Sequence, residues 1–325
     1  MPKNNDYGAR LARLCASHQQ ADLYIDACRR RSPLHRHLLS LPSRLMRAVR
    51  AAQIMRLAAA MPDVSPQTPC ADGVVVSLTS FPARIGTVHM VIRSLLLQTV
   101  RPAQILLYLS AEEFPQGIGQ LPPQLAGLDG RHGVSIRFVD GNLRSHKKYF
   151  YAFAERPDAC VITVDDDLYY PPHTIARLVD LHRRFPKTVC ANVVRRIALD
   201  PDGRALPYRR WPKLPVGEPE ESAALVGVGY GGVLYPPRRL AASQVLRADV
   251  FMSICPLADD LWLKACELSV GVAVASGGEP FGHPAELPGS QRRTLQSLNM
   301  SSRNQNDVQW QSLDEHFGLS AIIVS

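Results

Sequence analysis

The chain has 325 residues, enough for one large domain or a domain with an added segment, and no apolar run in it reaches the length of a bilayer span. Hydrophobic residues make up 46% and charged residues 20%, a globular balance; seven cysteines without paired spacing and without a CxxC exclude a disulfide framework and a zinc knuckle. The net charge of +8 belongs to residues 1–62, which hold 11 Lys and Arg against 3 Asp and Glu, while the rest holds 26 of each.

Residues 1–70 carry no strand signal. Residues 11–30 suit a helix, and Ser43 is placed to cap a second one from Arg44 to about Met61, closed by Pro62. The arginines at 44, 47, 50 and 56 are spread around it. They suit a membrane surface of anionic lipid, or a helical appendage packed on the body or on a partner protein. Nucleic acid is not expected, because the region holds almost no aromatics to stack on bases. Residues 63–72, with two prolines, read as a linker. The expected division is a basic helical extension and linker, 1–70, followed by one body, 71–325. Removing residues 1–62 is expected to spare the body's chemistry. With no secretion signal at the start, the compartment expected is the cytoplasm, at the inner face of the plasma membrane if the extension binds lipid.

The body alternates strands and helices. Residues 74–79 read as a strand, 80–86 as a turn, and Thr87 as the cap of a helix to about Gln98. Residues 104–109 form a second strand, so the unit is βαβ with parallel strands. Residues 112–131 read as a loop with a short helix. A third strand, 134–139, ends at Asp140, and Ser145 caps a helix through about Glu155. Pro172 sits in the first turn of a helix to Phe185, and 188–194 is another strand. Pro201-Asp202-Gly203 is a hairpin signal inside a polar stretch. Gly227-Val228-Gly229-Tyr230-Gly231-Gly232 lets a backbone approach a ligand closely. Residues 257–263 open a helix to about Leu268 with Asp259 and Asp260 in its first turn, 271–275 is a last strand, and Asn306 caps a final helix to Phe317.

The stretch the body turns on is Val161-Ile162-Thr163-Val164-Asp165-Asp166-Asp167. Residues 160–164 read as a buried parallel strand, which puts the three acids at its carboxyl end, where open α/β sheets bind ligands. Adjacent carboxylates raise one another's pKa and invite a cation, and oxygen-only ligands suit Mg²⁺ or Mn²⁺. The alternative is a solvated acidic turn. Pairing of these acids with arginines would count against the cation.

Three motifs in order, Val74-Val75-Val76-Ser77-Leu78-Thr79-Ser80-Phe81, the triple Asp, and Ala258-Asp259-Asp260-Leu261-Trp262-Leu263, resemble a family 2-like glycosyltransferase over residues 73–317. Ser94-Leu95-Leu96-Leu97-Gln98-Thr99, Pro102 and Gln104-Ile105-Leu106-Leu107-Tyr108 add to the first. The resemblance implies the GT-A fold, a mixed, mostly parallel sheet between helices, and a nucleotide-sugar donor, with a UDP-sugar first in expectation. It implies a glycan or glycolipid acceptor, inversion, and a place in bacterial polysaccharide synthesis. Asp167 would hold Mn²⁺ or Mg²⁺, Asp165 the metal or ribose, and Asp166 would support either. Asp260 would be the general base and Asp259 would orient it or the acceptor. Donor contacts would come from Thr79, Phe81, Arg84, Gly231 and Gly232, with Gly229 beside them. Asp140 would stand in for the base-binding acid that the family usually has after an early strand, where this chain reads Leu109-Ser110-Ala111-Glu112-Glu113. His283 is a further candidate metal ligand, or an ordinary loop histidine. Lys148, with His146, Lys147 and Arg144 near it, would either stabilise diphosphate charge or lie on a solvated basic face. Trp262 would stack on a sugar or sit in the core. Two other classes fit the same acids: a nucleotidyltransferase or phosphohydrolase, and a non-catalytic carbohydrate-binding protein.

Overall fold

Long helices, not a linker-borne arm, open the chain. The computed structural model describes residues 4–29, 33–60, 68–214, 216–288 and 304–324. Helix α1 (Asn4–Arg29) packs on α2 (Pro33–Ala60). The second helix begins ten residues before Ser43 and runs through Pro42, so Ser43 is not its cap. An interior proline costs about 3 kcal/mol, and the apolar face buried by α2 offsets it. That face matters beyond the hairpin: Leu11 and Cys15 of α1 and Ile54, Met55 and Ala58 of α2 belong to the same core cluster as the central sheet. Removal of residues 1–62 would therefore uncover part of that cluster, so the truncation expected to spare the body's chemistry would also be expected to lower its stability. Ile54 is fully buried; Ile54→Ala is expected to cost about 2–5 kcal/mol, read as a lower denaturant midpoint at unchanged slope. Half of the expected linker, 63–67, lies outside the described residues, and its last three residues, 70–72, already belong to β1 (Cys70–Thr79).

Next come β1 (Cys70–Thr79), α3 (Val88–Leu96), β2 (Arg101–Ser110), α4 (Pro123–Ala126), β3 (Val134–Val139), α5 (Lys147–Glu155) and β4 (Cys160–Thr163). The apolar runs of β1, β2 and β4 give strands buried on both faces, β3 is a half-buried edge strand, and β1 pairs parallel with both β2 and β4. Two of the expected caps are absent. Thr87 donates its hydroxyl back to the Arg84 carbonyl, and a short 3-10 turn, Ile85–Thr87, leads into α3. Ser145 lies inside a similar turn, Arg144–His146, ahead of α5.

The chain continues through β5 (Leu168–Tyr169), α6 (Thr174–Arg184), β6 (Val189–Ala191), β7 (Val194–Arg196), β8 (Glu220–Ser222), β9 (Leu225–Gly227) and β10 (Val233–Tyr235). The helix expected to start at Pro172 starts two residues later, at Thr174. The strand expected over 188–194 breaks at Asn192, whose side chain donates to the carbonyls of Thr174 and Gly231; β7 then pairs in a separate sheet with β9. The hairpin at Pro201-Asp202-Gly203 is present, closed by Asp200 N–H donating to the Arg204 carbonyl. The last elements are α7 (Ala248–Ile254), α8 (Asp259–Ser269), β11 (Val274–Ser276), β12 (Ala285–Glu286), α9 (Gln305–Phe317) and α10 (Leu319–Val324). Asn304, with a left-handed backbone, precedes α9; Asn306 lies within the helix.

The molecule is α/β. Its eight-stranded mixed, mostly parallel sheet has the order β3-β2-β1-β4-β10-β6-β11-β8 and is flanked by helices. Strand β10 runs antiparallel between β4 and β6. The chain builds outward from β1 to β3, then returns to place β4 on the other side of β1. The strand order thus reverses between β1 and β4, and the crevice at their carboxyl ends is where open α/β sheets take ligands. Among the described residues no helix is long and apolar enough to cross a membrane.

Candidate active site

The segment after β1 and the segment after β4 meet in that crevice. Ser80 donates its hydroxyl to Asp166 Oδ2 at 2.6 Å, and Arg84 Nη1 reaches Asp166 Oδ1 at 2.6 Å. Arg84 Nη2 lies 3.2 Å from Asp167 Oδ2. Asp166 is therefore a buried brace between the two strand ends, and Asp167 shares the same guanidinium. Phe81 packs under the Arg84 guanidinium, 5.5 Å from the ring centre. Thr79 caps its own strand pair by donating to the Tyr108 carbonyl.

Helix α8 brings the second acidic pair to the same place. Lys148, on the first turn of α5, is buried and bridges the two motifs: its Nζ is 2.9 Å from Asp165 Oδ1 and 2.8 Å from Asp259 Oδ2. It is not part of a solvated basic face. The other cations of that stretch are engaged elsewhere. His146 is fully buried, stacked on Phe251 and bonded to the Tyr149 hydroxyl and the Cys255 carbonyl, while Lys147 donates to Asn142. Burial holds the His146 imidazole down at about 4, so it is neutral.

Glycine 229 closes the arrangement. Its N–H donates to Asp260 Oδ2 at 3.1 Å. A side chain there would meet Asp165 Oδ1 and Asp260 Oδ1, each at 3.3 Å from its first carbon, so both carboxylates would have to shift by a few tenths of an ångström to admit it. Gly231 is packed against Val193, and Gly232 makes the turn into β10 at φ +79°.

The electrostatics follow from burial. Five carboxylates, Asp165, Asp166, Asp167, Asp259 and Asp260, are met here by the cations Arg84 and Lys148. Burial, then the Asp165 charge, pushes the Asp167 carboxyl up to about 7. Burial, then the Asp259 charge, pushes Asp260 up to about 7. Asp166 is raised by burial against the pull of Arg84. Asp259 goes the other way: burial opposes its ionisation, but Lys148 holds it below the usual carboxylate range. Burial would lower the Lys148 ammonium; the charges of Asp165, Asp259 and Asp260 outweigh it and hold it well above its ordinary value. The acids at 259 and 260 are thus pushed apart, one firmly ionised and one poised near neutrality, a pattern found where carboxyls have separate acid–base tasks.

The remaining candidates lie elsewhere or serve packing. Asp140 is exposed at the end of the edge strand β3, and its carbonyl accepts the Tyr151 hydroxyl. His283 contacts Asp22 through its backbone N–H, its own neighbour Pro284 through Nδ1, and the Tyr230 ring at 4.6 Å between centres. Trp262 is fully buried, with Nε1 donating to the Val245 carbonyl. Among the described residues no three His, Cys, Asp or Glu side chains gather into a metal-holding group. In this structure Arg84 pairs with two of the three consecutive acids and Lys148 with the third, the pairing expected to count against a cation here.

Sequence reasoning missed that Tyr208 approaches this site. Its ring lies under the Arg195 guanidinium at 5.3 Å, and the Asp260 charge helps burial raise its phenol. The polar stretch holding Tyr208 offered no periodic signal. No protein-family model matches this chain, and no curated protein matches it either.

Proposed function

We propose that the protein is a metal-dependent glycosyltransferase of the GT-A type, moving a sugar from a nucleotide-sugar to a hydroxyl of a glycan or glycolipid. One observation carries the reading. Asp165 and Asp260, from two motifs far apart in the chain, both lie against Gly229 in the switch-point crevice, with Lys148 spanning their motifs.

The residues fit a hard divalent ion only in part. Mg²⁺ is commonly bound by one or two carboxylates with substrate phosphates completing the shell, so a site lacking three protein ligands agrees with a metal that arrives with its nucleotide. Asp167 and Asp165 are the residues that would hold Mn²⁺ or Mg²⁺. The carboxyl raised to about 7 at Asp167 marks a charge its surroundings leave incompletely balanced. Bound there, the ion would neutralise the diphosphate so that it leaves.

The chain's own residues would do the rest. Asp260 Oδ2 is held by the Gly229 N–H, which leaves Oδ1 to take the proton of the acceptor hydroxyl as it attacks. Asp259, kept ionised by Lys148, orients the first turn of α8. Ser80 and Arg84 fix Asp166 and with it the backbone on either side.

A thermal-shift series with UDP, GDP and their sugars, with and without Mn²⁺, tests this. The expected result is a shift that needs nucleotide and ion together, followed by sugar transfer on product analysis. No joint shift rejects the metal-nucleotide site. A joint shift with hydrolysis or nucleotidyl transfer as the only product replaces the glycosyltransferase with another phosphate enzyme.

A further inference from the structure

Away from the acidic crevice, α3, α4 and the turn before β3 enclose a cavity of about 230 Å³. Its polar lining is one-signed. His89 and Arg93 come from α3, Gln124 from α4, and Arg131 and His132 from the turn; no carboxylate lines it. The nearest acid in sequence, Asp129, has Oδ1 engaged by the Ile136 N–H.

Two features show that the turn is built to hold these side chains. His132 has a left-handed backbone, φ +52°, which costs a non-glycine residue energy and survives only where the surroundings enforce it. The enforcement is visible: Gly130 N–H donates to the Val134 carbonyl and Val134 N–H to the Arg131 carbonyl. The His132 Nε2 is buried and has no hydrogen-bond partner among the described residues. A buried polar atom left unmatched costs about 1–3 kcal/mol, and a ligand atom would remove that cost. Guanidinium groups carry five donors each, so Arg93 and Arg131 can keep protein partners and still present N–H groups to an anion. Burial, then the Arg93 charge, depresses the His89 imidazole, which enters as a neutral group.

We propose that this cavity is a binding site for a small phosphorylated molecule, its phosphate seated between Arg93, Arg131 and His132. Size limits the ligand. The volume is that of roughly eight waters at about 30 Å³ each, so it admits a phosphate with a small body and not a whole nucleotide-sugar. The site is separate from the acidic crevice and does not depend on the activity proposed for it.

Titration calorimetry with inorganic phosphate, in chloride buffers of matched ionic strength, reads the proposal on the full-length protein. Saturable one-site binding is expected, at least ten-fold weaker in the double variant Arg131→Gln/His132→Asn; asparagine tolerates the left-handed backbone at 132. Gln124→Glu, an exposed change that puts a carboxylate in the cavity, must weaken it likewise if the double variant does not fold. Absence of saturable phosphate binding together with absence of variant-sensitive vesicle binding overturns the site. Binding that survives both variants also overturns it, because the phosphate then sits elsewhere. Vesicles containing phosphatidic acid form the second arm. Variant-sensitive vesicle binding without free-phosphate binding would make the ligand a lipid headgroup and overturn a soluble one.

Discussion

Lys148→Met is expected to destabilise the fold by about 3–5 kcal/mol, because it removes the cation shared by two buried motifs. Asp259 is buried with Asp260 beside it, and Lys148 at 2.8 Å is what keeps it ionised. Methionine fills similar space without charge, so the loss reads as uncompensated carboxylate and not as a hole. The pH dependence gives the sign. Without Lys148, burial and the Asp260 charge raise Asp259 above its unfolded value. The folded state then binds a proton that the unfolded chain has released, so the variant's deficit is largest at high pH and shrinks as pH falls toward the usual carboxylate range. Urea unfolding of both proteins at pH 8 and pH 5.5 measures this. A deficit below about 1 kcal/mol at pH 8 would mean that Lys148 does not hold the motifs together.

Asp260→Asn is expected to leave the protein at least as stable as wild type, since it removes a like charge beside Asp259 and keeps an acceptor for the Gly229 N–H. Transfer should nonetheless fall by about 10²–10⁴-fold, the usual contribution of a general base. Donor binding with Mn²⁺ should persist. Wild-type transfer should rise as pH climbs through about 7, where Asp260 loses its proton, and the residual activity of the variant should lack that rise. Retained activity, or loss of donor affinity in place of turnover, would remove Asp260 from the role of base.

The first half of the sheet was open to reading. The runs at 74–79, 104–109, 134–139 and 160–164 are dense in Val, Ile and Leu, and each became a strand of the parallel half within a few residues of its expected limits. Acids directly after such a run had to lie at its carboxyl end. The second half was harder. The runs at 188–194 and 271–275 did mark β6 and β11, but β8, β9 and β10 have three residues each, too few to show a period, and their pairings join distant parts of the chain. The run after Gly227 therefore looked like a loop, although Val233–Tyr235 is inserted antiparallel at the centre of the sheet. Lys148 shows the same limit at the level of one side chain. Its burial comes from Asp165 and Asp259, and nothing in Arg144-Ser145-His146-Lys147-Lys148 tells a solvated cation from a buried one. Arg84 was named as a donor contact, yet its bonds to Asp166 and Asp167 follow only from the return of β4 to the side of β1. The N-terminal charge excess concealed the apolar face of α2, since Ile54, Met55 and Ala58 stand among arginines.

Helix α1 is tied to the loop before β12 and, through Lys213, to the Gly229 turn. Gln19 Nε2 donates to the Gly282 carbonyl, Asp22 Oδ2 accepts the His283 N–H, and Asp26 Oδ2 takes Lys213 Nζ at 2.6 Å. Lys213 in turn lies over the Tyr230 ring, which stacks on His283. These links make one cooperative unit of parts far separated along the chain. In amide exchange, 229–231 and 282–287 should open with α1 and at its free energy, and not as independently fraying surface loops.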